Sequence, residues 1–253
     1  METHIVELLD KLPPITLAEM KDIKLMNRID KKYLATIDQL QQLLVMVQGQ
    51  YMVQQIEGMR YSRYHTIYLD TPDEEMYTEH HNGRLVRQKV RVRTYLDSGD
   101  TFLEVKNKNN HGRTKKKRIT VKGIDTLHED DGDRLLARYS RYLLADLVPK
   151  VENRFERITL VNMAKTERLT IDCHVKFHHC ETDIHDTFER LVIIELKRDG
   201  NVYSPVKSML RQLRIKPSGF SKYCIGSALT KPALKRNRFK PRFVRINKLL
   251  NNH

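Results

Sequence analysis

Apolar and charged residues alternate along much of this chain, and the alternation changes period in ways that mark separate elements. In an extended strand, successive side chains point to opposite faces. Lys89, Arg91 and Arg93 therefore share one face, and Val90 and Val92 the other. Glu104, Lys106 and Lys108 stand likewise opposite Leu103 and Val105. Segments 61–70, 84–95, 101–108 and 113–122 read as successive strands, the last three separated by the turns Asp97-Ser98-Gly99-Asp100 and Asn109-Asn110-His111-Gly112. Turns this short join antiparallel neighbours, which makes a meander rather than a doubly wound sheet. Strand patterns also cover Met26 to Leu34, 150–162, 167–178 and 188–198.

Helical spacing appears in three places. Ile37, Leu40, Leu43, Leu44 and Val47 predict a helix over 37–48, opened by a Thr36/Gln39 capping box. Leu135, Leu136, Tyr139, Leu143 and Leu147 predict another over about 133–147, and Ser204-Pro205 opens a third carrying Val206, Met209, Leu210 and Leu213. Residues 1–24 form a helical lead broken at Pro13-Pro14. The expected architecture is α+β: seven or eight antiparallel strands closed into a β-barrel, with helices packed on the outside. The corresponding division is a lead over 1–24, one domain over 25–228 and a basic tail over 229–253.

Charge sharpens this picture. The net charge is +14 over 253 residues, so anionic partners are favoured: nucleic acid, phosphate compounds or acidic membrane. From Arg84 to Arg93 there are five basic residues and no acid, a repulsive arrangement unless an anion sits among them. The same device recurs at Arg28/Asp30/Lys32, Lys116/Arg118, Arg157/Thr159, Arg168/Asp172 and Glu195/Lys197. Any one such face could simply point to water, because alternation does not show which side is inside. Converging in a barrel, they would line a lumen with cations and a few carboxylates, suited to phosphate oxygens. A divalent metal bridging carboxylate to phosphate would account for the carboxylates, with Glu195 the first candidate and Glu104 the second.

Other chemistries find less support. His174, His178, His179 and His185 with Cys173 and Cys180 match no structural zinc spacing. No Walker loop or nucleophile elbow occurs. Tyr61, Tyr64, Tyr68 and Tyr95 could stack bases, but they suit strand packing better, so nucleic acid is not the expected partner. The tail from Lys231 reads as a solvated basic helix or arm. The three unpaired cysteines, the lack of a signal-like start and the absence of a membrane-length apolar run suggest a reduced, cytoplasmic setting.

Taken in order, several segments resemble the VTC domain, the polyphosphate polymerase module of the CYTH-like triphosphate tunnel superfamily. They are Arg28-x-Asp30-x-Lys32-Tyr33, Tyr68-Leu69-Asp70-Thr71, Gly83-Arg84, Lys89-Val90-Arg91-Val92-Arg93-x-Tyr95 and Phe102-Leu103-Glu104-Val105-Lys106. Arg113 to Arg118, Phe155-x-Arg157, Arg168-x-Thr170-x-Asp172, Ile194-Glu195-Leu196-Lys197 and Ser221-Lys222-Tyr223 continue the match, which spans about 25–228. The resemblance implies a β-tunnel with a charged lumen. It also implies transfer of the ATP γ-phosphate onto inorganic polyphosphate, assisted by Mn²⁺ or Mg²⁺. Lys32, Arg84, Arg91, Arg93, Lys106 and Arg157 would act on the reacting phosphates, with Ser221 and Lys222 holding substrate. Lys89, Lys108, Lys116, Arg118 and Lys197 share their strand faces and would add to substrate binding; Glu195 would hold the metal. Two departures from the family pattern stand out: Asp30 in place of a longer acid, and Phe155 in place of a tyrosine. Two other activities remain open on the same residues, triphosphate hydrolysis and noncatalytic polyanion binding.

Overall fold

The computed structural model describes residues 1–21, 23, 28–200 and 202–251. The first two residues of the strand pattern expected from Met26, and the expected boundary at 24/25, lie outside the described residues. After helix α1 (Thr3–Asp10) come strand β1 (Pro14–Ile15), helix α2 (Leu17–Lys21), β2 (Arg28–Thr36), α3 (Ile37–Met46) and β3 (Tyr51–Gln54). Next are β4 (Ser62–Asp70), α4 (Glu75–His81), β5 (Arg87–Tyr95), β6 (Thr101–Lys108), β7 (Thr114–Thr120) and α5 (Gly132–Tyr139). The long strands β8 (Val148–Asn162) and β9 (Glu167–His179) precede β10 (His185–Phe188), β11 (Leu191–Asp199), α6 (Pro205–Gln212), α7 (Lys222–Thr230) and α8 (Lys240–Asn251).

The strands form one sheet in the order β2-β11-β9-β8-β4-β5-β6-β7, all antiparallel along this path. The expected closure into a barrel does not occur: among the described residues no ladder joins β2 to β7. Both edges have a physical reason to stay apart. The β2 edge is taken by the chain at 217–218, with Tyr33 bridged to Pro217 and the Ser218 amide donating to the Lys32 carbonyl at 2.8 Å. On the other side, β7 carries Lys115, Lys116, Lys117 and Arg118 in succession and is exposed nearly throughout. A run of cations discourages pairing at a sheet edge.

Burial then follows the alternation. On one face Tyr33, Ala35, Ile158, Leu169, Ile171, Ile194 and Leu196 pack with Leu40, Leu43 and Leu44 of α3, Leu8 and Leu9 of α1, and Val206 and Leu210 of α6. Farther along the sheet Val90, Val92, Leu103 and Val105 pack with Leu135 and Leu136 of α5. The Thr36/Gln39 capping box and Pro205 at the start of α6 stand as the sequence indicates. The helix expected over 133–147 ends instead at Tyr139, followed by a 3₁₀ turn at Leu144–Asp146. There the Asn107 side chain donates to the Tyr139 carbonyl at 2.7 Å, and Gln88 donates at 3.2 Å, supplying the terminus with partners from β5 and β6.

One helix departs from the expected exterior placement. α7 lies against the opposite, charge-bearing face of the sheet and is almost wholly buried. Its Tyr223 ring stacks on Tyr68 at 5.0 Å, and Gly226 sits so close to Phe177 that a Cβ there would be 2.5 Å from the ring. Asp70, fully buried at the end of β4, fixes this helix and α4 together. Its carboxylate accepts from the amides of Thr71, Met76 and Tyr77 and from the Tyr223 hydroxyl. The basic segment beyond Lys231 is likewise a docked element: Phe239 and Ile246 enter the core, leaving most of the cations exposed. Among the described residues no helix is long and apolar enough to cross a membrane.

Candidate functional site

Strand register places the charged faces side by side. Lys32 stands opposite Glu195, which stands opposite Thr170. Lys197 faces Asp30 on one side and Arg168 on the other, and Asp172 faces Arg157. Across the next strands Thr66 faces Arg93, Tyr68 faces Arg91, and Arg91 faces Glu104. Lys89 faces Lys106, Lys106 faces Lys116, and Glu104 faces Arg118. Since the side-chain period is two, these residues all lie on one side of the sheet. Of the Lys115–Arg118 run, Lys116 and Arg118 therefore share this side, whereas Lys117 lies over the Tyr139 ring of α5.

The sheet is also strongly curled. In a flat sheet β6 would lie five strand spacings from β11, roughly 24 Å. The Glu195 carboxylate on β11 nevertheless acts on the Lys106 ammonium on β6 and on the Arg157 guanidinium of β8. The charged side is thus concave, and the N-terminus of α7 projects into it. Lys89 Nζ donates to Ser221 Oγ at 2.7 Å, Lys32 Nζ donates to the Phe220 carbonyl at 2.8 Å, and Lys222 pairs with Asp172. Ser221 caps the helix by accepting from the Cys224 amide. The helix dipole adds positive potential where the cations already converge.

Three carboxylates in the concavity, Glu104, Asp172 and Glu195, are tied to cations. Glu104 is fully buried; Arg91 donates to its Oε2 at 2.7 and 2.5 Å, and Lys116 to its Oε1 at 2.7 Å. Asp172 accepts from Arg157 at 2.6 and 2.9 Å and from Lys222. Burial alone would raise both carboxyls, but Arg91, Arg93 and Lys116 hold Glu104 well below the ordinary range, and Arg157 and Lys222 do the same to Asp172. Burial likewise opposes the charge on Glu195, yet Lys197, Lys32 and Arg157 bring it down to about 2. Lys197 Nζ lies 3.2 Å from its Oε2.

The cations bear the strain of this crowding. Arg91 pushes the Lys106 ammonium well below its usual value, helped by burial and by Arg93; among the described residues this ammonium makes no hydrogen bond. Burial, Arg91 and Arg157 depress Arg93 to about 10, while its Nε donates to Thr66 Oγ1 at 3.1 Å. Burial brings Lys222 down to about 8, with Arg157 acting in the same direction and Asp172 against. Lys89 and Lys197 are lowered too, chiefly by burial. Tyr68 registers the resulting field: burial should raise a phenol, but Arg91, Lys89 and Arg93 lower this one to about 8. Beneath the guanidiniums lies an aromatic floor. Tyr64 and Phe155 stack at 5.1 Å, Arg93 and Arg157 lie over both rings, and Lys222 Nζ stands 4.2 Å from the Phe155 centroid.

The structure therefore brings together Lys32, Lys89, Arg91, Arg93, Lys106, Lys116, Arg157, Lys197, Ser221, Lys222, Glu104 and Glu195. Arg118 and Lys108 stand at the rim, Arg118 exposed over the Phe102 ring at 4.1 Å. Arg84 does not join them; it is exposed in the turn before β5, 3.5 Å from Glu79. The Arg28 side chain lies outside the described residues. Asp172 and Tyr68 are members to which the sequence reading gave no role, although it set Asp172 among the charged faces and quoted Tyr68 in the family pattern.

A divalent ion fits this donor set in one way. Among the described residues the concavity offers no cluster of three or more metal-ligating side chains. Glu104 and Asp172 each have both oxygens engaged by cations. Glu195, ionised and in contact with Lys197 through Oε2, remains as an oxygen ligand. Mg²⁺ and Mn²⁺ suit such a site, since they bind through one or two carboxylates and fill the rest of their shell with other oxygen ligands such as water.

Comparison with known proteins agrees with this architecture. No curated protein matches the chain. Among solved structures, a Hippeastrum protein designated an adenylyl cyclase, with a dominant triphosphatase activity, is similar at 14% identity and a TM-score of 0.51, over 80% of this chain and 96% of that one. A Vibrio parahaemolyticus protein designated an adenylate cyclase is similar at 11% identity and a TM-score of 0.48, over 80% and 99%. At 14% identity the likeness to the Hippeastrum protein concerns the fold alone. The family model of the VTC domain matches residues 27–231, most of the sequence. The chain belongs to the VTC domain family.

Proposed function

We propose that this protein is an ATP-dependent polyphosphate polymerase, which transfers the γ-phosphate of ATP to the end of a polyphosphate chain in the concavity. The observation that carries the reading is the pairing pattern of Glu104, Asp172 and Glu195. Each is ionised and bound to cations, so none is a competent base for water. Lysines and arginines meanwhile surround them in excess. Such a site suits a nucleophile that arrives already anionic, as the terminal phosphate of a polyphosphate does.

In this mechanism Arg91, Arg93 and Lys106 hold the oxygens of the phosphoryl group in transit and neutralise the charge spread over them. Lys32, Lys89, Ser221 and Lys222, at the mouth of α7, orient the flanking phosphates of donor and acceptor. Arg157 and Lys197 extend the same path, Lys116 holds Glu104, and Lys108 and Arg118 steer anions at its rim. Glu104 and Asp172 act as positioning residues: they fix the forks of Arg91 and Arg157 so that little reorganisation accompanies the reaction. Arg84 stays outside this machinery. A Mg²⁺ or Mn²⁺ ion held by Glu195 would supply Lewis-acid stabilisation of the donor phosphate oxygens.

The test is incubation of the protein with ATP and Mn²⁺, with products resolved on a gel. Long polyphosphate chains made by wild type and lost in Arg91→Ala support the assignment. Release of inorganic phosphate alone would identify a triphosphatase, and binding without turnover a polyanion-binding module. Equal chain synthesis by Arg91→Ala and wild type would refute the proposed role of the cationic face.

A further inference from the structure

A second cluster of metal-binding side chains lies on the face of the sheet that points away from the concavity. Glu152 of β8, His178 of β9 and His185 of β10 stand opposite one another across three adjacent strands. The two imidazoles form a cross-strand pair flanking the β9–β10 turn, with their rings stacked 4.1 Å apart and 8° from parallel. Asp183 comes from that turn, where its backbone adopts a φ of 55°. Its Oδ1 lies 2.8 Å from His178 Nε2 and 3.7 Å from His185 Nε2. One ligand atom from each of His178, Asp183 and His185 falls within 4.8 Å of the others.

The surroundings of His178 add a feature that chance proximity does not supply. Its Nδ1 faces Glu152 Oε1, while the other oxygen of Glu152 is bound by His65 of β4. A carboxylate accepts hydrogen bonds and does not donate when ionised, so Glu152 fixes a proton on Nδ1 and leaves Nε2, which donates to Asp183 here, as the nitrogen that an ion would take in place of its proton. This is the carboxylate–histidine arrangement that orients imidazole ligands and raises their basicity at metal centres. His178 is only 25% exposed, which limits its freedom, whereas His185 and Asp183 are 70% and 89% exposed and open to an ion from solvent.

We propose that His178, His185 and Asp183 form a binding site for a late transition-metal ion of the Zn²⁺ class, independent of the phosphate-binding face. Two imidazole nitrogens and one carboxylate suit Zn²⁺ and leave a coordination position open, while Mg²⁺ and Mn²⁺ favour all-oxygen shells. The ion would clip β9 to β10 and fix the turn over 180–184. That turn is also anchored to the end of α7, through Thr182 Oγ1 donating to the Thr230 carbonyl at 2.8 Å and Glu181 pairing with Lys231 at 2.8 Å. The clip would therefore steady the helix whose opposite end enters the concavity.

Untagged protein carrying residues 1–253 in phosphate-free buffer, titrated with Zn²⁺ alone by isothermal calorimetry, tests the assignment. Co²⁺ titrated into a parallel sample and followed by visible absorption reports nitrogen ligation. The expected result is one equivalent of Zn²⁺ that persists in excess Mg²⁺ and in Glu195→Gln. His185→Gln, a change at an exposed position, should weaken it at least tenfold. Glu152→Gln should weaken it by roughly 10- to 100-fold through the orienting hydrogen bond. Wild type without bound Zn²⁺, or His185→Gln with wild-type affinity, would overturn the proposal.

Discussion

Replacing Lys106 with methionine separates what the concave face costs from what it does. The Lys106 ammonium is half-buried, repelled first by Arg91 and further by Arg93, and without a hydrogen-bond acceptor among the described residues. Methionine matches the length of most of the side chain and removes the charge. Replacing buried ion pairs or triads by apolar volume is often neutral or stabilising by about 1–4 kcal/mol, and the same logic applies to an ammonium repelled by its neighbours. The lower part of that range applies here, because Glu104 and Glu195 partly offset the repulsion. About 1–2 kcal/mol raises Tm by roughly 3–6 °C in a chain of this size. The catalytic effect has the opposite sign. A charged hydrogen bond to a phosphate oxygen contributes about 1.5–3 kcal/mol, so its loss lowers kcat/KM by roughly 10- to 150-fold. Thermal shift with and without tripolyphosphate reads both effects. At about 100 Kd of tripolyphosphate, wild type gains about 2.7 kcal/mol, and the variant gains far less at the same concentration. A Lys106→Met protein that melts below wild type without anion, or gains as much from tripolyphosphate, would refute the view that repulsion on this face is held in store for an anion.

Further outcomes follow from the same geometry. Glu104→Ala leaves Arg91 and Lys116 facing each other without their carboxylate and should cost about 3–5 kcal/mol, read by urea denaturation; a loss under about 1 kcal/mol would show that Arg91 finds another partner. Lys222, lowered to about 8, loses its charge as pH rises through that value, so chain synthesis should fall on the alkaline side. Lys222→Arg, which keeps its charge, should move that fall to higher pH, and superimposable profiles would exclude Lys222 as its source. For stability the sign is reversed: the unfolded chain binds the extra proton between about pH 8 and the ordinary lysine range, so this group's destabilising contribution at neutral pH diminishes as pH rises through that window. Gly226→Ala forces a methyl into the Phe177 ring and should destabilise by about 1–3 kcal/mol; calorimetry showing an unchanged Tm would mean that α7 shifts freely.

The local reading of the sequence succeeded where period and capping chemistry agree. The Thr36/Gln39 box starts α3, Pro205 starts α6, and the alternation through β5 and β6 places Arg91 and Glu104 on one side with Val90 and Val105 on the other. It erred at Tyr139, where apolar spacing continues but two amides from neighbouring strands complete the helix end. It also gave no sign that β7 and β2 would remain apart, because the chain at 217–218 occupies the β2 edge from nearly two hundred residues away.

By itself the sequence determined that strand faces would be sorted by charge, since a period of two is a local property of the backbone. Whether the charged faces point to water or toward one another was decided by tertiary structure alone. Helices α1, α3, α5 and α6 cover the apolar side, leaving the cationic side concave, and α7 closes over part of it with Ser221 and Lys222 at its entrance. The physical reason is curvature. Twist and register accumulated over the whole sheet bring Glu195 within reach of Lys106, and no segment short enough to be read as a pattern contains both.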